Sequence, residues 1–291
     1  MFTGAMVALI TPFQDGEIDF RTLDELIDFQ MENGIDAISP CGTTGESPTL
    51  SHPEHKEVIE RVVKAVGGKV PVIAGAGSNS TAEAIELAAF SKKVGADATL
   101  QVCPYYNKPT QEGFYQHFKA IAEEVDLPMV LYNIPGRCGG TGLTAETVAR
   151  LAKIENIVAI KESSGRLDMA SEIATSCDMT IISGDDSLTL PIASVGGKGV
   201  ISVVANIVPA DVKAMTDLIL EGDFTSAMKW HKKLFALSKN MLGLATNPIP
   251  VKAAMAMLNM APEELRLPMT PLDESTKAIL RQTLKDYGLL D

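Results

Sequence analysis

Residues 129–161 read MVLYNIPGRCGGTGLTAETVARLAKIENIVAIK. Two short apolar runs, Met129–Tyr132 and Ile157–Lys161, flank an amphipathic stretch that begins after Thr144. Neither run alternates apolar with polar residues. Continuous apolar runs of this length suit strands buried on both faces, and such strands belong to parallel sheets. The intervening AETVARLAKI has helical spacing, and Thr144 is a sound N-cap. The segment therefore spells a strand, a helix and a second, parallel strand.

The same unit recurs on both sides. Strands are expected at Met6–Ile10, Ala37–Ser39, Val70–Ala74, Ala98–Val102, Thr180–Ser183 and Gly199–Val203. Helical patterns fill the gaps. Thr22 is placed to cap LDELIDFQMEN, which stops at Gly34, and His52-Pro53-Glu54 opens a helix that stops at Gly67-Gly68. Thr81 starts a third, ending at Gly95, and Thr110 starts QEGFYQHFKAIAEEV. Eight βα units in roughly the first 220 residues suit a closed (β/α)8 TIM barrel, with a doubly wound open sheet as the alternative. Residues 1–222 are read as the catalytic barrel. Residues 223–291 hold three more helical patterns without a strand signal and are read as a C-terminal helical appendage.

Composition narrows the function classes. The formal net charge is -12, which repels a phosphate backbone and argues against nucleic-acid binding. The amino terminus lacks a basic n-region, and no apolar run approaches membrane-spanning length, so no membrane association is expected. Cys41, Cys103, Cys138 and Cys177 are scattered without a CxxC, as expected of reduced thiols in a cytoplasmic protein.

In such a barrel the chemistry sits at the C-terminal ends of the strands. Four ends are rich in polar groups: Cys41–Ser47, Pro104–Asn107, Tyr132–Arg137 and Lys161–Gly165. Lys161 closes an apolar run and is expected to project into the mouth. Desolvation there disfavours the ammonium, and a free amine can form a Schiff base with a ketone, an electron sink that needs no metal or cofactor. Snorkelling to solvent is the competing reading. Lys198 precedes its strand and Lys252 lies in a helical segment, so neither rivals it. On the neighbouring strand Tyr132 can carry protons, or simply pack with its hydroxyl satisfied by backbone. Thr43 and Thr44 offer hydroxyls in a glycine-flanked turn, suited to a carboxylate or a proton relay, or to turn chemistry alone. Arg137 can grip a second carboxylate, or form a surface ion pair.

Two other motifs carry less. Gly75-Ala76-Gly77-Ser78-Asn79-Ser80 approaches a dinucleotide turn but lacks the third glycine. His52, His55, His117 and His231 all fall on helical patterns rather than strand ends, so no metal site is expected.

The motifs Gly42-Thr43-Thr44-Gly45-Glu46-Ser47, Pro104-Tyr105-Tyr106-Asn107, Tyr132–Arg137, Ile160-Lys161-Glu162, Ser183–Asp186 and Asn247–Lys252 extend over nearly the whole chain. With them the chain resembles the 4-hydroxy-tetrahydrodipicolinate synthase (dihydrodipicolinate synthase) family of pyruvate-dependent class I aldolases. The wider group includes lyases acting on longer keto-acids such as sugar acids; Arg137 and the Thr43-Thr44 pair favour the synthases. The resemblance implies that pyruvate forms a Schiff base with Lys161 and that the enamine attacks L-aspartate 4-semialdehyde. It implies a proton relay of Thr43, Tyr132 and Tyr106, with Tyr106 supplied by a neighbouring subunit of a homotetramer. It assigns Thr44 to the pyruvate carboxylate and Arg137 to the aldehyde substrate, with Gly184 and the Ile201 carbonyl lining the site. It implies no cofactor beyond the covalent imine with pyruvate. L-Lysine is the implied inhibitor, at Ser47, His52, His55, Asn79, Glu83 and Tyr105. Two features depart from the family: Pro48 stands where a small non-proline residue is common, and the glycine-rich loop after Arg137 is about one residue longer than usual.

Overall fold

The computed structural model describes residues 2–291. Strand β1 (Gly4–Ala8) leads into a short hairpin, β2 (Phe13–Gln14) and β3 (Glu17–Ile18), then α1 (Phe20–Glu32) and β4 (Ala37–Ser39). Helix and strand then alternate: α2 (His52–Val66), β5 (Ile73–Gly75), α3 (Thr81–Val94), β6 (Ala98–Val102), α4 (Gln111–Glu124), β7 (Met129–Asn133), α5 (Ala145–Leu151) and β8 (Ile157–Glu162). The series continues with α6 (Leu167–Ser176), β9 (Thr180–Ser183), α7 (Thr189–Ala193), β10 (Gly199–Ser202) and α8 (Pro209–Glu221). Helices α9 (Phe224–Gly243), α10 (Ile249–Met257) and α11 (Glu274–Tyr287) follow.

Eight parallel strands pair in the order β4-β1-β10-β9-β8-β7-β6-β5. The two ends of that order meet. Ile38 bridges Val72, Ile38 N donates to Pro71 O at 3.0 Å, and Gly75 N donates to Pro40 O at 2.9 Å. The sheet is thus a (β/α)8 barrel with added C-terminal helices, not an open doubly wound sheet.

Three local expectations need correction. The first strand spans Gly4–Ala8 rather than Met6–Ile10 because its ladder with β10 begins at Gly4 opposite Gly199. Strand β5 begins at Ile73, not Val70, since Pro71 has no N–H to give a ladder. Helix α1 is capped by Asp19, whose carboxylate accepts from Thr22 N at 3.0 Å, so Thr22 is the capped residue rather than the cap. The β2–β3 hairpin was not anticipated. Its signal is Asp15-Gly16, both at positive φ (55° and 86°), as a two-residue turn between tightly paired strands requires.

Side chains sort by strand parity. Met6, Ala8, Ala37, Ile73, Ala98, Leu100, Val130, Tyr132, Ala159, Ile182 and Ile201 form one cluster that fills the barrel. Leu131, Ile160 and Ile181 face outward and pack with the helices. Lys161, two residues beyond Ala159, therefore shares the inward parity. The C-terminal helices are not a separate core: Leu234, Leu237, Val251 and Leu284 belong to the same buried cluster as Val7 and Ile38.

Candidate active site

Lys161 is only 5% exposed. Its Cα is in register with Tyr132 on β7 and Ile182 on β9. Nζ lies 4.3 Å from the centroid of the Tyr132 ring. No carboxylate among the described residues forms an ion pair with it, and no hydrogen bond ties it down. The amine faces a cavity of about 490 Å3 whose wall includes Thr44, Tyr132, Arg137, Ser163, Gly184, Asp185 and Asn247.

The other lysines contrast with it. Lys252 is 0% exposed but is ion-paired with Glu46 and donates to Glu264 O at 2.9 Å. Lys198 is exposed.

Gly184 explains how the lysine reaches the cavity. A Cβ at this position would sit 1.8 Å from Ser163 Oγ and 2.9 Å from Lys161 Cε. Any side chain there would occupy the space of the lysine stem. Beside Lys161, buried Glu162 accepts from Asn133 Nδ2 at 2.7 Å and Ser164 N at 2.6 Å. Asn133 Oδ1 in turn accepts from Leu143 N at 3.0 Å, which ties the loop after Arg137 to the lysine's strand. The glycines of that loop are required: Gly139 and Gly140 have φ of 68° and 82°, and a Cβ at Gly142 would meet Asn133 Oδ1 at 2.5 Å.

Thr43 lies in an adjoining cavity of about 290 Å3, and Tyr132 and Arg137 border both spaces. Thr44 Oγ1 accepts from Asn247 Nδ2 at 3.0 Å. Arg137 is exposed at the rim, where Nη2 donates to Asn247 O at 3.2 Å. Ile201 turns its side chain into the packed barrel interior, and Val203 borders the cavity.

One expected residue stands apart within this chain. Tyr106 is 89% exposed, with φ at 71°, and borders neither cavity.

Sequence reasoning gave no role to Ser163, Asp186 or Asn247. Ser163 Oγ is buried without a partner at the edge of the lysine cavity. Asp186 accepts from Ser202 Oγ and from Val203 N at 2.9 Å, and burial pushes its carboxyl up to about 6. It holds the chain where β10 leaves the barrel. Asn247 lay inside a quoted motif, but no spacing rule points a side chain after α9 at a strand end of the barrel.

The six residues expected to bind L-lysine share one neighbourhood. His52 Nε2 is 2.6 Å from Glu83 Oε1, and Ser78 Oγ donates to the same carboxylate. Asn79 Nδ2 donates to Tyr105 O at 3.1 Å, and Ser47 and Tyr105 line the smaller cavity beside Pro48. His55 Nε2 lies 2.6 Å from Gly75 O, a contact that needs its proton on Nε2, and burial lowers its affinity for a second proton. Cys41 and Cys138 border the smaller cavity, and all three cysteines near the mouth, Cys103 included, are buried. Burial pushes Cys138 up to about 11 and raises Cys41 and Cys103, which keeps them as unreactive thiols. Among the described residues no group of three His, Cys, Asp or Glu side chains is placed to hold a metal ion, and no helix is long and apolar enough to cross a membrane.

A barrel that offers one buried, unpaired primary amine to a polar cavity has the arrangement of a class I aldolase. Comparison with known proteins is specific. The profile of the dihydrodipicolinate synthetase family matches residues 1–287, and the chain belongs to that family. It is 53% identical to the 4-hydroxy-tetrahydrodipicolinate synthase of Pelobacter propionicus and 54% identical to that of Methanocaldococcus jannaschii, covering 100% of each partner in both pairs. The dihydrodipicolinate synthase structure from Aquifex aeolicus superposes with a TM-score of 0.97 at 50% identity, over 99% of both chains. The Acinetobacter baumannii synthase, 42% identical, is known as a pyruvate complex, and that of Cyanidioschyzon merolae, 45% identical, with lysine bound. A monomeric variant of the synthase, 42% identical, is also known.

Proposed function

We propose that this chain condenses pyruvate with L-aspartate 4-semialdehyde to give 4-hydroxy-tetrahydrodipicolinate, in diaminopimelate and lysine biosynthesis. The observation that carries the reading is the Lys161 amine, buried, unpaired and held over Tyr132 at a cavity floor. Full-length relatives with this activity in their names support the choice of substrates.

The amine attacks C2 of pyruvate, and the carbonyl oxygen leaves as water after two proton transfers. The cationic imine withdraws electrons, so a C3 proton departs and an enamine forms. C3 attacks the aldehyde carbon of the second substrate. That substrate's amino group then attacks the imine carbon, closing a six-membered ring and releasing Lys161. Because the imine is itself the electron sink, we assign no metal or cofactor.

Thr44 serves the pyruvate carboxylate and Arg137 the carboxylate of the aldehyde. Tyr132 and Thr43 move protons. Tyr106 acts in a neighbouring subunit of a cytoplasmic homotetramer, a reading its exposure favours. L-Lysine inhibits by engaging Ser47, His52, His55, Asn79, Glu83 and Tyr105, where carboxylate, amide and imidazole groups suit an amino acid.

Borohydride reduction with pyruvate, read by intact mass, tests the imine; an unmodified Lys161 overturns it. A coupled assay with both substrates tests the condensation. Adduct formation without turnover, together with cleavage of a sugar acid, would place the chain among the related lyases instead. An unchanged rate in millimolar L-lysine removes the inhibitor assignment.

A further inference from the structure

The turn Cys41–Ser47, which carries Thr43 and Thr44, is backbone under tension. Cys41 and Glu46 have φ of 55° and 54°, a left-handed region that disfavours non-glycine residues. Something outside the turn must hold it.

Helix α10 and Asn247, two residues before its start, make two contacts with this turn. Asn247 Nδ2 donates to Thr44 Oγ1 at 3.0 Å. One turn and a half further on, Lys252 ion-pairs with Glu46, and both are essentially inaccessible to water. Lys252 Nζ also lies 4.2 Å over the Phe13 ring. Arg266, 4.4 Å from that same ring, donates its backbone N–H to the second Glu46 oxygen at 3.2 Å. Its guanidinium grips Glu54, whose carboxyl it helps hold down to about 2.

Stability alone is a weak reason to bury such a pair. Desolvation of both charges offsets much of their attraction, and well-packed apolar side chains often stabilise as well or better. What a buried pair supplies is a fixed position. We propose that Glu46 and Lys252 are positioning residues, by which α10 holds the Thr43 and Thr44 hydroxyls in place for the substrate bound to Lys161. The inference rests on the proposed use of those hydroxyls.

The test compares the rate of borohydride-trappable pyruvyl adduct formation, and pyruvate KM against kcat, in the wild type, Glu46→Gln and the double variant Glu46→Gln/Lys252→Met. Wild-type adduct must form first; its absence refutes the aldolase reading, not this one. A folded variant should show pyruvate KM raised about tenfold or more, with slower adduct formation, since small misplacements of positioning groups cost that much. A merely structural pair would lower Tm and leave both readouts unchanged in folded protein, which would overturn the proposal. If both charge variants fail to fold, Glu46→Asp decides, because it keeps the buried charge pair and only shortens its reach to Lys252. Slowed adduct formation then supports positioning from α10, and the wild-type rate overturns it.

Discussion

Lys161 and Tyr132 stand opposite one another on adjacent strands, with the amine 4.3 Å from the centre of the phenol ring. The ring face and the hydroxyl have separable jobs. The face lies beside the amine, and the hydroxyl is the group that can move a proton. Tyr132→Phe should therefore keep the pyruvyl adduct in borohydride trapping while turnover falls by about 10²–10⁴. Lys161→Ala should give no adduct at all. Loss of trapping in Tyr132→Phe, or wild-type turnover, would contradict this division.

Gly184 should tolerate nothing larger. Its φ is outside the left-handed region, so alanine is acceptable to the backbone and the obstacle is steric. The new methyl would meet the Lys161 stem at 2.9–3.0 Å and displace Ser163 Oγ. Because overpacking costs about 1–3 kcal/mol, Gly184→Ala should slow adduct formation by roughly 5- to 150-fold where that strain falls on the reacting lysine, with a modest loss of Tm. Stopped adduct growth measured at several pyruvate concentrations checks this, and an adduct rate equal to wild type refutes it.

The barrel was legible because its signals are local and repeated. Apolar runs such as Ile157–Ile160 are short, unalternating and followed by capped helices, and Lys161 announces itself by ending one of them. Pairs that meet across the mouth were harder. Asn247 and Thr44 are 203 residues apart, and no periodicity reports that the peptide after α9 folds back over the fourth strand. Tyr106 was named only through the family resemblance, and its side chain points into solvent, so its role lies beyond what one chain can display. Pro71 shortened a strand that composition alone favoured, since the lost donor outweighs the apolar side chains around it.

Arg137 should separate the two substrates. It stands on the rim, tethered by one bond to Asn247 O, rather than on the floor beside the amine. Arg137→Ala should leave pyruvate trapping nearly intact and raise KM for the aldehyde substrate. A charge-assisted bond contributes about 1.5–3 kcal/mol, which is roughly 10- to 150-fold. Equal damage to trapping and to aldehyde use would assign Arg137 to the first substrate instead.

Acid should weaken the fold through His117. The ring is buried in α4, Nδ1 meets Thr81 Oγ1 at 2.9 Å, and Nε2 has no partner. Burial lowers its pKa from the ordinary 6.5 to about 4. Between these values the unfolded chain binds the proton and the folded chain does not. The stabilising effect of a neutral ring is therefore fully present above about pH 6.5 and is lost as pH falls toward 4. By pH 5 the loss amounts to about 2 kcal/mol. His117→Gln cannot take up that proton, so its stability should fall less steeply from pH 7 to pH 5 than that of the wild type. Urea unfolding of both proteins at the two pH values measures the difference, and parallel pH dependence would mean that His117 is not the group being titrated.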